Sequence, residues 1–389
     1  MKFRLIQKFV AFCIALIACT GSVMAGGGAA NKEAFNAKDV ILHHVLDAHE
    51  IHFMTLGEGT ENETHVSLPL PIILYSKERG LDFFLSSKFH GDQKAFVSHH
   101  DEEAEEQNGH ELEVVPAYNG YAMVHEHIYF VDENNHVTDA QPLDLSITKT
   151  VLGVFITMFL LVFVMFKVAS AYKKSGVAAP KGLQNFIEVI IVFIRDEVAR
   201  PSIGKGYEKF MPFLLTVFFF ILIANFLGLI PFIGGFNVTG NISVALVLAV
   251  ATFIVTITSA KKDYWMHLFW TPGVPVWLKL PLPLMFVIEL VGVLSKPVVL
   301  CLRLFANITA GHIIILSFVS LIFIFGEKFG VGAGYGVSVL SVFFAIFMNV
   351  MEVLVAFLQA FVFTLLSAIY FGQAVEEHAH DDHAHAEHH

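Results

Sequence analysis

The stretch Pro281–Gly326, PLPLMFVIELVGVLSKPVVLCLRLFANITAGHIIILSFVSLIFIFG, decides how the rest of the chain is read. It is as apolar as a membrane span, yet it carries Glu289, Lys296, Arg303, Asn307 and His312. An arginine at the middle of a bilayer costs roughly 2.5–3.5 kcal/mol on insertion scales. Neither helix propensity nor packing returns that energy, so an intramembrane charge of this kind marks a functional site. At about 100° per residue, Glu289, Lys296 and Arg303 fall within about 40° of one line, with Asn307 about 40° to the other side of Arg303. His312, nine positions beyond Arg303, points to the opposite face. Pro297 removes a backbone donor inside the run and predicts a kink near Val293–Ser295.

A second apolar run, Val337–Phe371, answers the first. Its strongly polar members are Asn349, Glu352 and Gln359, and the last two, seven apart, share a face. Consider an antiparallel helical pair with Gln359 level with Arg303. His312 then lies about 13 Å beyond the arginine and Glu352 about 10 Å beyond the glutamine, on the same side. One imidazole and one carboxylate would share a depth and a proton-accessible cavity.

These residues carry a resemblance. LSKPVVLCLRLFANITAGH followed by NVMEVLVAFLQAFVFTLLSAIYF resembles the two C-terminal membrane helices of subunit a of bacterial F-type ATP synthases. In that family a K-P-x-x-L-x-L-R-L-F-x-N-x-x-A-G segment precedes an L-Q-A-F-[IV]-F segment. The likeness extends more weakly over Leu183–Phe371. In many relatives the position of His312 holds Glu and that of Glu352 holds His. This chain has the pair exchanged but keeps one carboxylate and one imidazole, as a proton-sharing couple tolerates.

The remaining composition agrees with a membrane protein. A hydrophobic content of 55% is too high for an ordinary soluble chain of 389 residues and fits several spans plus a soluble part. The net charge of −11 sits mostly outside the apolar half and argues against nucleic acid as a partner. Cys13, Cys19 and Cys301 allow no disulfide framework. No phosphate-binding G-x-x-x-x-G-K-[ST] loop occurs, so ATP chemistry is expected on other subunits, and no cofactor is expected here.

Along the chain, residues 1–25 read as a secretory signal: Lys2, Arg4 and Lys8, then Phe9–Ala18, then Val-Met-Ala ending at Ala25. Leu16–Cys19 also suits cleavage before a lipid-modified cysteine. Residues 26–144 form the exported domain, with a helix expected around Asp39–Phe53. Short β-type runs follow at His65–Tyr75, Leu81–Ser86, Leu112–Val115 and Tyr121–Val131, with an acidic loop at Asp101–Glu106. Histidines are frequent here (His43, His44, His49, His52, His99, His100, His110, His125, His127), but their spacing matches no closed metal site, and no metal is expected.

The membrane domain occupies 145–372. Spans are expected at Leu145–Phe166, Phe210–Ile230 and Asn241–Ala260, and Gly182–Ala199 reads as an amphipathic surface helix or a tilted span. Pro281–Phe325 is about 68 Å of helix, either two spans broken at Pro297 or one long tilted helix. The resemblance implies the latter, in a hairpin with Val337–Phe371 across the GEKFGVGAGYG turn. The fold class is therefore a polytopic all-α membrane protein of about five spans plus an amphipathic helix, with a small β-rich N-terminal domain. The basic loops Lys167–Lys209 and Lys261–Lys279 belong in the cytoplasm by the positive-inside rule. That places the N-terminal domain in the periplasm of an inner-membrane protein and the His/acid-rich tail, 373–389, in the cytoplasm.

The resemblance also implies roles. Arg303 faces the essential carboxylate of the rotating c-ring and separates two aqueous half-channels; a guanidinium stays charged and passes no proton by titration. Gln359 and Asn307 stand beside it. His312 and Glu352 line the outer half-channel, Glu289 and Lys296 the cytoplasmic exit, and Asn225 and Asn241 the polar wall of the outer path. Partners are the c-ring, the peripheral-stalk subunit b, the rest of the ATP synthase and the lipid bilayer. The rival reading is a stand-alone metal or cation carrier with His-rich soluble segments. It needs intramembrane ligand clusters or an inverted repeat, and within the spans His312 is the only histidine.

Overall fold

The computed structural model describes residues 47–56, 64–77, 79–91, 93–98, 112–124, 126–132, 134–175, 182–230, 236–269 and 284–376. The leader, the acidic loop Asp101–Glu106, the tail beyond Glu376, and His43, His44, His99, His100, His110 and His125 lie outside these residues.

The N-terminal part is built from antiparallel strands. β1 (Glu50–Leu56) pairs with β2 (Thr64–Pro69). β3 (Pro71–Ser76) lies between β4 (Gly80–Leu85) and β9 (Leu143–Asp144). A four-stranded meander runs β5 (Lys94–Ser98), β6 (Leu112–Tyr118), β7 (Tyr121–Val124) and β8 (His127–Phe130). Alternation along β3 and β4 turns Ile72, Leu74 and Phe84 into a core shared with Phe89, Tyr121 and Ile128. The opposite face leaves Tyr75, Leu81 and Phe83 exposed.

Three expectations are corrected here. Glu50–Leu56 is a strand, not part of a helix, because its backbone bonds are supplied by β2 rather than by its own next turn. His65–Tyr75 breaks into two strands at Leu70, whose amide is held by Ser86 Oγ at 3.2 Å. β5 and β9 were not legible: β9 has two residues and exists only as a ladder on β3.

Among the described residues, five helices are long and apolar enough to cross a membrane. They are α1 (Lys149–Ser175), α4 (Met211–Gly228), α5 (Ile242–Ser259), α7 (Leu284–Phe329) and α8 (Val331–Val375). Between α1 and α4 lie α2 (Leu183–Phe193), a π-helical segment Ile194–Ala199 and the single turn α3 (Arg200–Ile203). Short α6 (Lys262–Phe269) follows α5. Leu214, Phe218 and Ile221 of α4 form the centre of the bundle core with Ile194, Val198, Leu300, Leu304, Phe363 and Phe371.

The segment read as amphipathic buries a mixed side: Gln184, Ile187 and Ile194 are buried, while Phe186 and Val189 are exposed. In a bilayer the outward side is apolar, and Gln184 turns inward to the bundle. Pro297 sits inside one continuous helix, the alternative that the resemblance implied. The connection of the hairpin differs: it narrows from GEKFGVGAGYG to Gly330 alone, at φ +86°. Residues 331–336 continue the helix because Gly334 lets the two backbones touch: a Cβ there would stand 3.0 Å from Gly326 Cα.

The strand-rich part is joined to the bundle by packing. Ile51 and Leu70 share a buried cluster with Ala224, Leu227, Phe236 and Val238, lined by Leu152 and Ile156 of α1.

Candidate functional site

The hairpin α7–α8 carries most of the polar residues singled out in the sequence, and its register is marked at four levels. Lys296 Nζ donates to Gln373 Oε1 at 2.7 Å, His312 Nδ1 stands 3.1 Å from Glu352 Oε1, the rings of Phe318 and Phe344 stack at 5.3 Å, and Gly326 meets Gly334. Counting back along both helices from the His312–Glu352 contact puts Arg303 beside Phe361, within a turn of Gln359. The level expected for the pair is the one observed.

At that level the two side chains part. Gln359 is buried, whereas Arg303 is exposed, as are Leu302, Ala306 and Asn307 on its own helix and Leu354 and Leu358 on α8. No hydrogen bond joins Arg303 to Gln359, and among the described residues Arg303 makes no ion pair. A permanent charge therefore stands on an apolar face, a placement that lipid alone makes costly.

His312 and Glu352 are the opposite case. The glutamate side chain is 4% exposed and the imidazole 21%. Their 3.1 Å approach is short enough for an ion pair, but it is off the line that a hydrogen bond needs, and both Glu352 oxygens lack a hydrogen-bond donor. Small residues make the room. A Cβ on Gly311 would meet Glu352 Oε1 at 3.0 Å, and one on Gly228 would meet the Phe236 carbonyl at 2.9 Å and His312 Nε2 at 3.8 Å.

The two asparagines lie at this end of the bundle. Asn225 Nδ2 donates to the Ala356 carbonyl at 3.1 Å, one turn from Glu352, and its Oδ1 accepts from Thr239 Oγ1 at 2.5 Å. Asn241 caps α5 by accepting from the Ser243 amide at 2.9 Å. The neighbouring Gly240 carbonyl accepts from Thr309 Oγ1, one residue short of a turn before His312.

Glu289 and Lys296 belong to the other end. There Lys296, with its ammonium 5.2 Å over the Tyr370 ring, lines a pocket with Thr252, Thr256, Tyr264, Pro297 and Tyr370, between α5, α6, α7 and α8. Glu289 lies close enough for its charge to reach both Lys296 and Tyr264.

Two residues not singled out in the sequence stand at the end of the bundle that holds the two asparagines. Asp47 accepts hydrogen bonds from Thr148 Oγ1 (2.9 Å), the Thr150 amide (3.0 Å) and Asn241 Nδ2 (3.3 Å). Lys149, the first residue of α1, is near enough for its charge to act on Asp47, Glu126 and His312. Lys149 had a local signal, a lone cation at the head of a span; Asp47 had none.

Beside Asp47, the buried His49 contacts Asp144 Oδ2 through Nε2 at 3.1 Å, and its amide donates to Glu126 Oε2 at 3.2 Å. Burial works against the imidazolium, but the hydrogen bonds and charges of Asp144 and Glu126 outweigh it and raise the His49 pKa to about 9. Among the described residues no group of three or more His, Cys, Asp or Glu side chains is arranged to hold a metal ion.

The architecture is that of a polytopic helical membrane protein displaying one arginine beside an internal acid–imidazole pair. Comparison with known proteins gives the family: residues 151–372 match the ATP synthase A chain, and the chain belongs to that family. Residues 40–145 match a separate domain of unknown function (DUF8433). The chain is 44% identical over 248 residues to ATP synthase subunit a of Chloroherpeton thalassium, covering 62% of this chain and 70% of the relative. It is 46% identical over 248 residues to ATP synthase subunit a 2 of Chlorobaculum tepidum, covering 62% and 66%. With ATP synthase subunit a of Anaeromyxobacter sp. it shares 38% over 276 residues, covering 66% and 63%.

Proposed function

We propose that this chain is the proton-translocating stator subunit of an F-type ATP synthase. The observation that carries the reading is Arg303, an exposed permanent charge on an apolar helical face with no ion pair among the described residues. Its natural counterpart is a membrane-embedded carboxylate on a partner, the c-ring. Beside the arginine that carboxylate is held ionised and releases its proton, and the fixed charge blocks a direct leak between the two half-channels.

His312 and Glu352 carry protons in the half-channel at the end nearer the strand-rich domain. An imidazole and a carboxylate in contact pass a proton between them or through water. Asn225 and Asn241 hold that wall in place. Lys296, Glu289 and the pocket by Tyr370 form the opposite half-channel. Gln359 and Asn307 shape the floor around the arginine. In this reading the strand-rich domain is periplasmic, the end of α8 is cytoplasmic, and subunit b and the other stalk components dock on the bundle. Nothing observed favours the stand-alone carrier.

The test is ATP synthesis driven by an imposed proton gradient in membrane vesicles, wild type against Arg303→Ala, with assembly checked by native gel. The reading requires a mutant that assembles yet neither synthesises ATP nor pumps. An assembled mutant that couples normally overturns it.

A further inference from the structure

The half-channel that begins at His312 and Glu352 does not stop at the end of the helical bundle. From Glu352 the contacts run to His312 at 3.1 Å, then along α7 to Thr309, whose hydroxyl donates to the Gly240 carbonyl. The next residue, Asn241, reaches Asp47 Oδ2 at 3.3 Å and Thr150 Oγ1 at 3.4 Å. Asp47 belongs to the strand-rich domain, 194 residues from Asn241 in sequence, and that domain is wedged onto the bundle by Ile51 and Leu70. Any proton entering along this line passes the domain first.

Resting on the function proposed above, we infer that the N-terminal domain supplies the entrance carboxylate of this half-channel: Asp47 collects protons at the mouth and delivers them past Asn241 to His312 and Glu352. The electrostatic setting suits an entrance. Asp47 is partly exposed, lies near enough to Lys149 of α1 for their charges to interact, and has His49, Glu126 and Asp144 as its ionisable neighbours within the domain. His49, joined to Glu126 and Asp144, is a positioning residue that fixes the loop holding Asp47. The physical need is plain at alkaline pH. Free protons are then so dilute that diffusional delivery to a single buried pair limits the flux, and a charged mouth raises capture rates by roughly 10- to 1,000-fold.

The competing role for Asp47 is a helix cap, since its carboxylate accepts the Thr150 amide and the Thr148 hydroxyl at the head of α1. Chemistry separates the two. Asparagine caps a helix about as well as aspartate but carries neither charge nor exchangeable proton. The test is passive proton conduction through vesicles holding the whole complex stripped of its ATP-hydrolysing head, measured between pH 6 and pH 9 on the side of the domain. Wild type, Asp47→Asn, Asp47→Glu and Thr148→Val are compared, with assembly verified. For an entrance role, Asp47→Asn conducts 5- to 10-fold less at pH 8 and approaches wild type at pH 6. Asp47→Glu recovers most of the loss, and Thr148→Val, which removes one capping bond but keeps the carboxylate, stays near wild type. A pH profile of Asp47→Asn that superimposes on wild type overturns the inference. If wild-type vesicles themselves conduct no protons, the parent function fails instead, and the inference with it.

Discussion

Arg303 and His312 sit nine residues apart on one helix, and the two polar levels solve the same problem in opposite ways. His312 and Glu352 of the facing helix are enclosed within the chain: two titratable groups in contact, with Gly228 and Gly311 packed close to them and Asn225 one turn away. Arg303 is left exposed, with nothing in the described structure to neutralise it. The difference teaches which partner each expects. On the function proposed above, a group that takes up and releases protons is kept beside a second titratable group. A group that stays charged is turned to the surface, where the proposed moving partner would pass.

The sharpest test of this contrast is to exchange the pair. His312→Glu and Glu352→His singly leave two like groups in contact, and each is expected to lower proton conduction by about 100-fold or more. The double exchange restores one acid and one imidazole and should return conduction to within a few-fold of wild type. Two additive losses would show that each residue acts alone.

Next in size is a dissociation of function from stability at Arg303. Arg303→Gln abolishes coupled ATP synthesis, yet it breaks no internal ion pair. Thermal unfolding of the purified subunit in detergent should therefore change by no more than about 0.5 kcal/mol. A large loss of stability would mean that the arginine has a structural partner within the chain.

Gly228→Ala tests the crowding around the pair. Its Cβ would press on the Phe236 carbonyl, which is backbone and cannot swing aside, so an overpacking cost of about 1–3 kcal/mol is expected, with conduction reduced several-fold. Gly292→Ala on α7, where a Cβ meets nothing within 4 Å, is the matched control and should be neutral.

The effect furthest from proton conduction concerns His49. Its folded pKa of about 9 lies above the unfolded value near 6.5, so its stabilisation is fully present below about pH 6.5 and is lost as pH rises through about 9. The whole step amounts to about 3 kcal/mol at most. On the acid side the clamp weakens as pH falls through the pKa of Asp144, which its bonds to His49 and Ser146 hold low against the opposing effect of burial. Thermal unfolding followed from pH 6 to pH 10 should fall in wild type and lose that alkaline step in His49→Gln. Equal slopes would remove the clamp from the account.

Much of the membrane part was legible because a helix in lipid carries its own evidence. The hydropathy of 20-odd residues defines a span, and the cost of a buried charge singles out Arg303. A fixed rise per residue let two polar positions on separate helices be matched in depth, and the contact of His312 with Glu352 follows that count. The strand-rich domain was less legible. Glu50–Leu56 takes its conformation from β2, and the two-residue β9 has no existence without β3. The segment Leu183–Ala199 shows the same limit: amphipathicity was visible, but that Gln184, Ile187 and Ile194 would be buried together depended on the core around them.

What the amino-acid sequence determined by itself was the apolar runs and the one arginine that no lipid-facing helix carries without a reason; the family resemblance chose the long hairpin over two spans broken at Pro297. Only the tertiary structure decided that Arg303 is exposed while Gln359 at its level is buried, that Asp47 meets Asn241, and that the Lys149 charge reaches His312. The physical reason is range. Hydropathy, periodicity and the cost of a buried charge act within one helix, whereas Asp47 meets Asn241 across 194 residues through strand pairing and a wedge of Ile51 and Leu70 that no local pattern encodes.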